Sequence, residues 1–336
     1  MSAAARAPRS FALRSSAGLE ATVLDHGATL MRLRVPDAAG RLGDVVLGFD
    51  DPLAYLGPHP YLGCIVGRYA NRIANARFAL AGRNFPLTAN DGPHTLHGGS
   101  RGFDKVVWNG ESLGESAVEL RYRSADGEEG FPGNLDARVS YRLEGATLRI
   151  ACSATSDAPT VVSLASHAYW NLEDGGASPI LDHALWIAAS RYTPVDASGI
   201  PTGRIAPVVG TPFDFTTPHP IGARIGSLIA ERGGYDHNFA LDCAGDLTRP
   251  AARLRAPRSG RAMTVSTTLP GLQLYSGNCF DGAQHFRNGF ATPRFGAVAL
   301  ETQHFPNAPN EAGFPPALLL PGERYAHTTV YAFDRD

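Results

Sequence analysis

Residues 135–154 read LDARVSYRLEGATLRIACSA. Leu135, Ala137, Val139, Tyr141 and Leu143 alternate with Asp136, Arg138, Ser140 and Arg142, the period-two signature of a strand with one buried and one wet face. Glu144-Gly145 interrupts the pattern, and Leu148, Ile150, Cys152 and Ala154 resume it, which predicts an antiparallel hairpin turning on a glycine. Upstream, Val118, Leu120 and Tyr122 alternate with Glu119, Arg121 and Arg123. Further short strand-like runs occupy 237–243, 251–256, 262–268, 271–276, 295–301 and 324–333, set apart by Gly, Pro or Asn. Only 220–232 offers helical spacing, through Ile221, Ile225, Leu228 and Ile229. No repeat period and no low-complexity linker divides the chain. The expectation is an all-β protein, one large antiparallel β-sandwich with few short helices, formed by 11–336 behind an unstructured tail over 1–10.

Composition narrows the function. Among 336 residues, 37 Gly and 25 Pro favour turns, and 43% hydrophobic residues supply a core. Thirty basic against 32 acidic residues leave a net charge of −2, so neither nucleic acid nor an anionic membrane is an expected partner. Lys105 is the single lysine, and FDKVVW matches neither a P-loop nor a Schiff-base context. Cys64, Cys152, Cys243 and Cys279 form no C-x-x-C pair, and no apolar run reaches the length of a membrane span. A cytoplasmic protein with reduced thiols is the expectation.

Five motifs hold candidate chemistry. GRYANRI (67–73) sets Asn71 and Arg72 after an apolar run; fork donors there suit hydroxyls or carboxylates, or equally cap a sheet edge. NDGPHTLHGG (90–99) carries His94 and His97, which read as half a metal site, as loop packing, or as an imidazole facing a ligand that the two glycines let the backbone approach. ASHAYWNLED (165–174) places His167 beside Tyr169 and Trp170, an aromatic setting suited to the apolar faces of sugars. GYDHNF (234–239) offers Asp236 ahead of a strand, where an Asx turn is the bland role. AVALETQ (297–303) ends an apolar run on Glu301, and a buried carboxylate is costly unless paired or functional.

With GRYANRIANARF, LHGG, GFDKVVW, SHAYWNL, PVD…IPTG…GTPFDF, GYDHNF, LQLYSGN, ALETQHFPNAPN and PGERY in this order over about residues 11–333, the chain resembles the aldose 1-epimerase (galactose mutarotase) family. That resemblance implies a large β-sandwich and the interconversion of α and β anomers of free aldohexoses such as galactose and glucose. It implies Glu301 as general base and His167 as general acid, with Asn71, Arg72, His97, Tyr169, Asp236 and Gln273 holding sugar hydroxyls. Ala168 and His94 depart from the usual Ser and Asn, which bears on sugar preference. No cofactor and no metal are implied, only aldose sugars as small-molecule partners of a monomer or weak dimer.

The chemistry fits that reading, because opening a hemiacetal needs the anomeric hydroxyl deprotonated while the ring oxygen is protonated. A bell-shaped pH profile is expected, with Glu301 setting the acidic limb and His167 the basic one. Rivals are a non-catalytic sugar-binding or sensing module, a metal-dependent isomerase built on His94, His97 and Glu301, and a hexose-6-phosphate 1-epimerase.

Overall fold

The computed structural model describes residues 6–243 and 245–335. The hairpin is the middle of a nine-stranded antiparallel sheet: Leu135–Glu144 pairs with Thr147–Ser156 in register Leu143↔Leu148, and Gly145 turns at φ 55°. Ala117–Ser124 continues the sheet on one side, and the long strand Tyr325–Arg335 and then Arg261–Thr267 on the other. A second, six-stranded sheet orders Tyr169–Trp170, Val298–Gln303, Gly271–Tyr275, Asp236–Ala240, Arg191–Thr193 and Ala206–Pro207.

The two sheets share one core. Leu120, Val139, Leu148 and Ile150 of the first pack in the same cluster as Phe239, Leu272, Leu274, Val298 and Leu300 of the second. Fully burying each such side chain contributes about 1.5–3 kcal/mol, so the face each strand turns inward is strongly fixed. Thr302 also points to this side, its hydroxyl 2.6 Å from that of Thr329. By alternation, Ala299, Glu301 and Gln303 then lie on the opposite face, together with Gln273, Tyr275, Asp236 and Tyr169 across the register. That face is the floor of the site.

The helical spacing over 220–232 appears as two four-residue α turns, Gly222–Ile225 and Ile229–Arg232, joined by the 3₁₀ turn Gly226–Leu228 and stopped by Gly233 at φ 76°. Of the tail expected over 1–10, residues 1–5 lie outside the described residues. From Arg6 the chain is tied down: the Arg6 guanidinium and the Arg9 N–H both donate to Asp25 at 2.8 Å, and Ser10 opens the first strand. Among the described residues no helix is long and apolar enough to cross a membrane.

Candidate active site

A cleft of about 240 Å³ opens over the free face of the six-stranded sheet. Asn71, Arg72, His97, His167, Tyr169, Asp236 and Glu301 line it, with Pro60, Tyr61, Leu96, Tyr275 and Cys279. Seven of the eight expected site residues therefore meet in one cavity. Gln273 stands a step behind, its amide donating to Asp236 Oδ1 at 2.7 Å.

Glu301 comes from a strand buried along its whole length because both faces are covered, one by the core and one by the site. His167 follows the short strand Ala165–Ser166, and its backbone is pinned by bonds to Gly63 and Cys64. His167 Nε2 and Glu301 Oε2 lie 3.8 Å apart, too far for a hydrogen bond, and His167 Nδ1 and Glu301 Oε2 are buried without a protein partner. Burial, reinforced by Asp236 and opposed by Arg72, pushes Glu301 up to about 8. Burial likewise pushes His167 down to about 4. Between those limits the pair carries one proton, resting on the carboxyl. These directions predict the reverse of the order expected for the pH limbs, with a second proton taken up by His167 on the acid side and the last lost from Glu301 on the alkaline side.

The other side of the cleft is an ion-pair network. Arg72 Nε donates to Asp91 at 2.7 Å and Arg72 Nη1 lies 3.7 Å from Asp236, which also accepts from Arg232 Nη2 at 2.9 Å. Burial alone would raise Asp236, but Arg72 and Arg232, with the Gln273 amide, hold it below the ordinary carboxylate range.

Asn71 and His97 hold each other. The Asn71 N–H donates to His97 Nδ1 at 3.1 Å, and the His97 N–H returns a bond to the Asn71 carbonyl at 3.0 Å. Both residues have positive φ, 62° and 52°, as does Tyr61 at 57°, so three non-glycine residues of the cleft are in the left-handed region. The glycines after His97 let the chain pack against itself: a Cβ on Gly98 would sit 1.9 Å from the Gly67 carbonyl oxygen, and one on Gly99 would sit 2.2 Å from Glu129 Oε2. In GRYANR the first arginine is structural, Arg68 donating to the carbonyls of Ala125, Pro132 and Gly133, while Tyr69 donates to the Phe305 carbonyl.

His97, His167 and Glu301 bring potential ligand atoms within 4.8 Å of one another. The donor set does not suit a metal, because a neutral His97 whose Nδ1 accepts from Asn71 carries its proton on Nε2, and two remaining ligands fall short of a zinc site. His94, the other half of the H-x-x-H reading, is not in the group; its Nδ1 accepts the Asn75 N–H at 3.0 Å, a loop-packing role.

Two further sequence readings are corrected. Trp170 faces away from the cleft, its ring 4.8 Å from Tyr331 in the core, because it alternates with Tyr169. Ala168 is likewise a core residue, so that departure does not touch a ligand. The aromatic wall that Trp170 was expected to give comes from Tyr61, whose ring lies 4.5 Å from His97 and 5.7 Å from His167, with Lys105 Nζ 5.4 Å from its centroid. Arg232 and Tyr61 are the residues sequence reasoning missed. Tyr61 stands in a Pro- and Gly-flanked loop without periodicity, and Arg232 reads as the polar end of a short helix.

The aldose 1-epimerase family model matches residues 9–332. The chain is 44% identical to galactose mutarotase of Sus scrofa over 315 residues, 94% of this chain and 91% of that one. It is 38% identical to aldose 1-epimerase of Escherichia coli, covering 97% and 95%. Among solved structures, an aldose epimerase homologue from C. elegans superposes with a TM-score of 0.90 at 31% identity, covering 98% of this chain and 99% of that one. Galactose 1-epimerase from Lactobacillus acidophilus gives 0.83 at 30%, covering 96% and 93%. With its cleft, its β-sandwich and these full-length matches, the chain belongs to the aldose 1-epimerase family.

Proposed function

We propose that this protein interconverts the α and β anomers of free aldohexoses such as galactose and glucose, with Glu301 as general base and His167 as general acid. One observation carries the assignment: two buried titratable groups, 3.8 Å apart, face one sugar-sized cleft, with His167 Nδ1 and Glu301 Oε2 free of hydrogen-bonded partners among the described residues. Groups so placed reach two oxygens on one carbon, as the anomeric hydroxyl and ring oxygen of a pyranose are.

In ring opening, Glu301 takes the anomeric hydroxyl proton and His167 gives a proton to the ring oxygen, breaking the C1–O5 bond to an aldehyde. Rotation about C1–C2 turns the other carbonyl face to the C5 hydroxyl, and the pair exchanges roles as the ring closes. This chemistry needs the pair's single proton on His167. Hydroxyl donation from the bound sugar to Glu301 favours its ionised form and shifts the proton that way. The neutral His97, held down by burial and by the nearby His167, Arg72 and Lys105, serves as an uncharged Nε2–H donor to the sugar. Asn71, Arg72, Tyr169, Asp236 and Gln273 orient the ring, directly or through one another.

The phosphorylated-sugar alternative is disfavoured by the pairing of charges among the described residues: Arg72 is engaged by Asp91 and Asp236, Arg232 by Asp236, and Lys105 by Asp104. Three buried free thiols suit a reducing, cytoplasmic setting, and the site is complete within one chain. Polarimetry of freshly dissolved α-D-galactose and α-D-glucose tests the reading. Accelerated approach to equilibrium is expected for wild type and not for Glu301→Gln; a wild-type trace equal to the spontaneous one leaves a binding module.

A further inference from the structure

Two carboxylates share this buried site. Asp236 lines the cleft with its side chain 15% exposed, and its charge acts on Glu301 two strands along the sheet, across the strand of Gln273. Two such groups compete for the site's protons, and whichever is better paired with cations stays ionised. Arg72 acts on Asp236 by its charge, at 3.7 Å, and does not grip it, because its hydrogen-bonded partner is Asp91 at 2.7 Å. The tight partner is Arg232, at 2.9 Å, with a side chain only 14% exposed. Arg232 is outside the cleft wall, so it acts through Asp236 rather than on the sugar.

The same guanidinium has a second engagement. Arg232 Nη1 donates to the Ala197 carbonyl at 3.1 Å, in the loop PVDASGIPTG (194–203). That loop is tightly turned: Asp196 Oδ1 accepts from the N–H groups of Ser198 and Ile200. Gly199, at φ 85°, lies flat against the guanidinium, where a Cβ would come within 2.6 Å of Nη2. The Arg232 carbonyl is held in turn by Asn278 Nδ2 at 3.2 Å. The side chain is thus fixed at both ends, and it stands where a helical segment of 222–232 delivers it.

We propose that Arg232 is a positioning residue for the mutarotase site, locking the Asp236 carboxylate in the orientation that accepts sugar hydroxyls and joining it to the 194–203 loop. The inference rests on the assignment of Asp236 to sugar binding made above. Its physical content is that a carboxylate gripped on one side by Arg232 and on the other by Gln273 has its remaining lone pairs aimed in one direction only. A freely rotating Asp236 loses that aim and retains its charge.

The test is a KM-against-kcat split. By polarimetry with galactose, Arg232→Met should raise KM about tenfold with kcat within about twofold of wild type, because an interaction equal in ground and transition states is lost. Arg232→Lys keeps the cation without the fork and should recover only a minor part of the loss. Gly199→Ala leaves every charge in place but pushes the guanidinium aside, and should raise KM severalfold; it also serves if Arg232→Met fails to fold. Calorimetric galactose binding to Glu301→Gln, with and without Arg232→Met, reads the same effect without turnover. KM and binding unchanged in both Arg232→Met and Gly199→Ala would overturn the inference, as would a collapse of kcat at constant KM. Full turnover by Glu301→Gln would instead overturn the catalytic assignment, and weakened binding on adding Arg232→Met would still support the positioning role.

Discussion

The two sides of the cleft treat their ionisable groups in opposite ways. Glu301 Oε2 and His167 Nδ1 are buried without a hydrogen-bonded partner among the described residues, and burial drives each group toward its neutral form. Across the cleft, Arg72, Asp91, Asp236 and Arg232 are less deeply enclosed and paired with one another, and Asp236 stays charged. The contrast separates moving a proton from holding a hydroxyl. A group that must gain and lose a proton within one turnover is best left uncommitted, whereas a group that reads hydroxyls is best kept in one protonation state.

The largest effect should come from removing either proton carrier. Glu301→Gln and His167→Asn should each lower kcat about 10²–10⁴-fold, measured by polarimetry with circular dichroism confirming the fold. A kcat within about threefold of wild type for either would remove that residue from the acid–base side of the comparison.

Removing a paired group should act differently. Asp236→Asn and Arg72→Ala should raise KM roughly 10- to 100-fold, the range for hydrogen bonds involving charge, with kcat nearly kept. A collapsed kcat at constant KM would merge the two sides into one catalytic unit.

The pH profile sharpens the contrast. Active enzyme carries one proton on the Glu301–His167 pair, so kcat/KM should fall in acid as His167 takes up a second proton and in alkali as Glu301 gives up the last. The residual activity of His167→Asn should lose the acidic limb, and that of Glu301→Gln the basic limb, after subtraction of buffer-catalysed mutarotation at each pH. Retention of the acidic limb by His167→Asn would restore the order that sequence alone suggests.

Smaller effects concern the wall and the metal question. Tyr61→Phe should leave turnover within about twofold, since the ring faces the histidines and Lys105, while Tyr61→Ala should weaken galactose several-fold through lost packing, in the range of about 0.5–1.5 kcal/mol for an aromatic pair. Equal behaviour of the two variants would place the contribution in the hydroxyl. Exhaustive chelation should change nothing, because His97 turns a proton rather than a lone pair outward; activity that tracks a bound transition metal would contradict that tautomer.

The legible part of the site was its inventory. Glu301 stood out because a carboxylate at the end of an apolar run is costly, and Asn71, Arg72, His97, His167, Tyr169, Asp236 and Gln273 because their motifs carry a family resemblance. Their grouping was legible only through that resemblance. Trp170 was misread because adjacent residues on a strand point to opposite faces, and ASHAYWNLED carries no alternation that says which face holds the core. His94 was singled out by spacing to His97, but spacing says nothing about the Asn75 N–H that occupies its ring.

By itself, then, the sequence determined the alternating strands from 118 onward, the hairpin on Gly145, the all-β class and the chemical types available, but not the strands between Ser10 and Pro86, because period-two alternation and turn glycines act over a few neighbouring residues. Tertiary structure decided which of those groups are paired and which are left alone. Strand register brings Gln273 opposite Glu301 and Asp236 opposite Tyr275, and the docking of the 222–232 segment brings Arg232 to Asp236. Burial and neighbouring charge then set the proton's resting place on Glu301 rather than His167. Those are long-range electrostatic quantities, and they exist only once the chain has closed over the site.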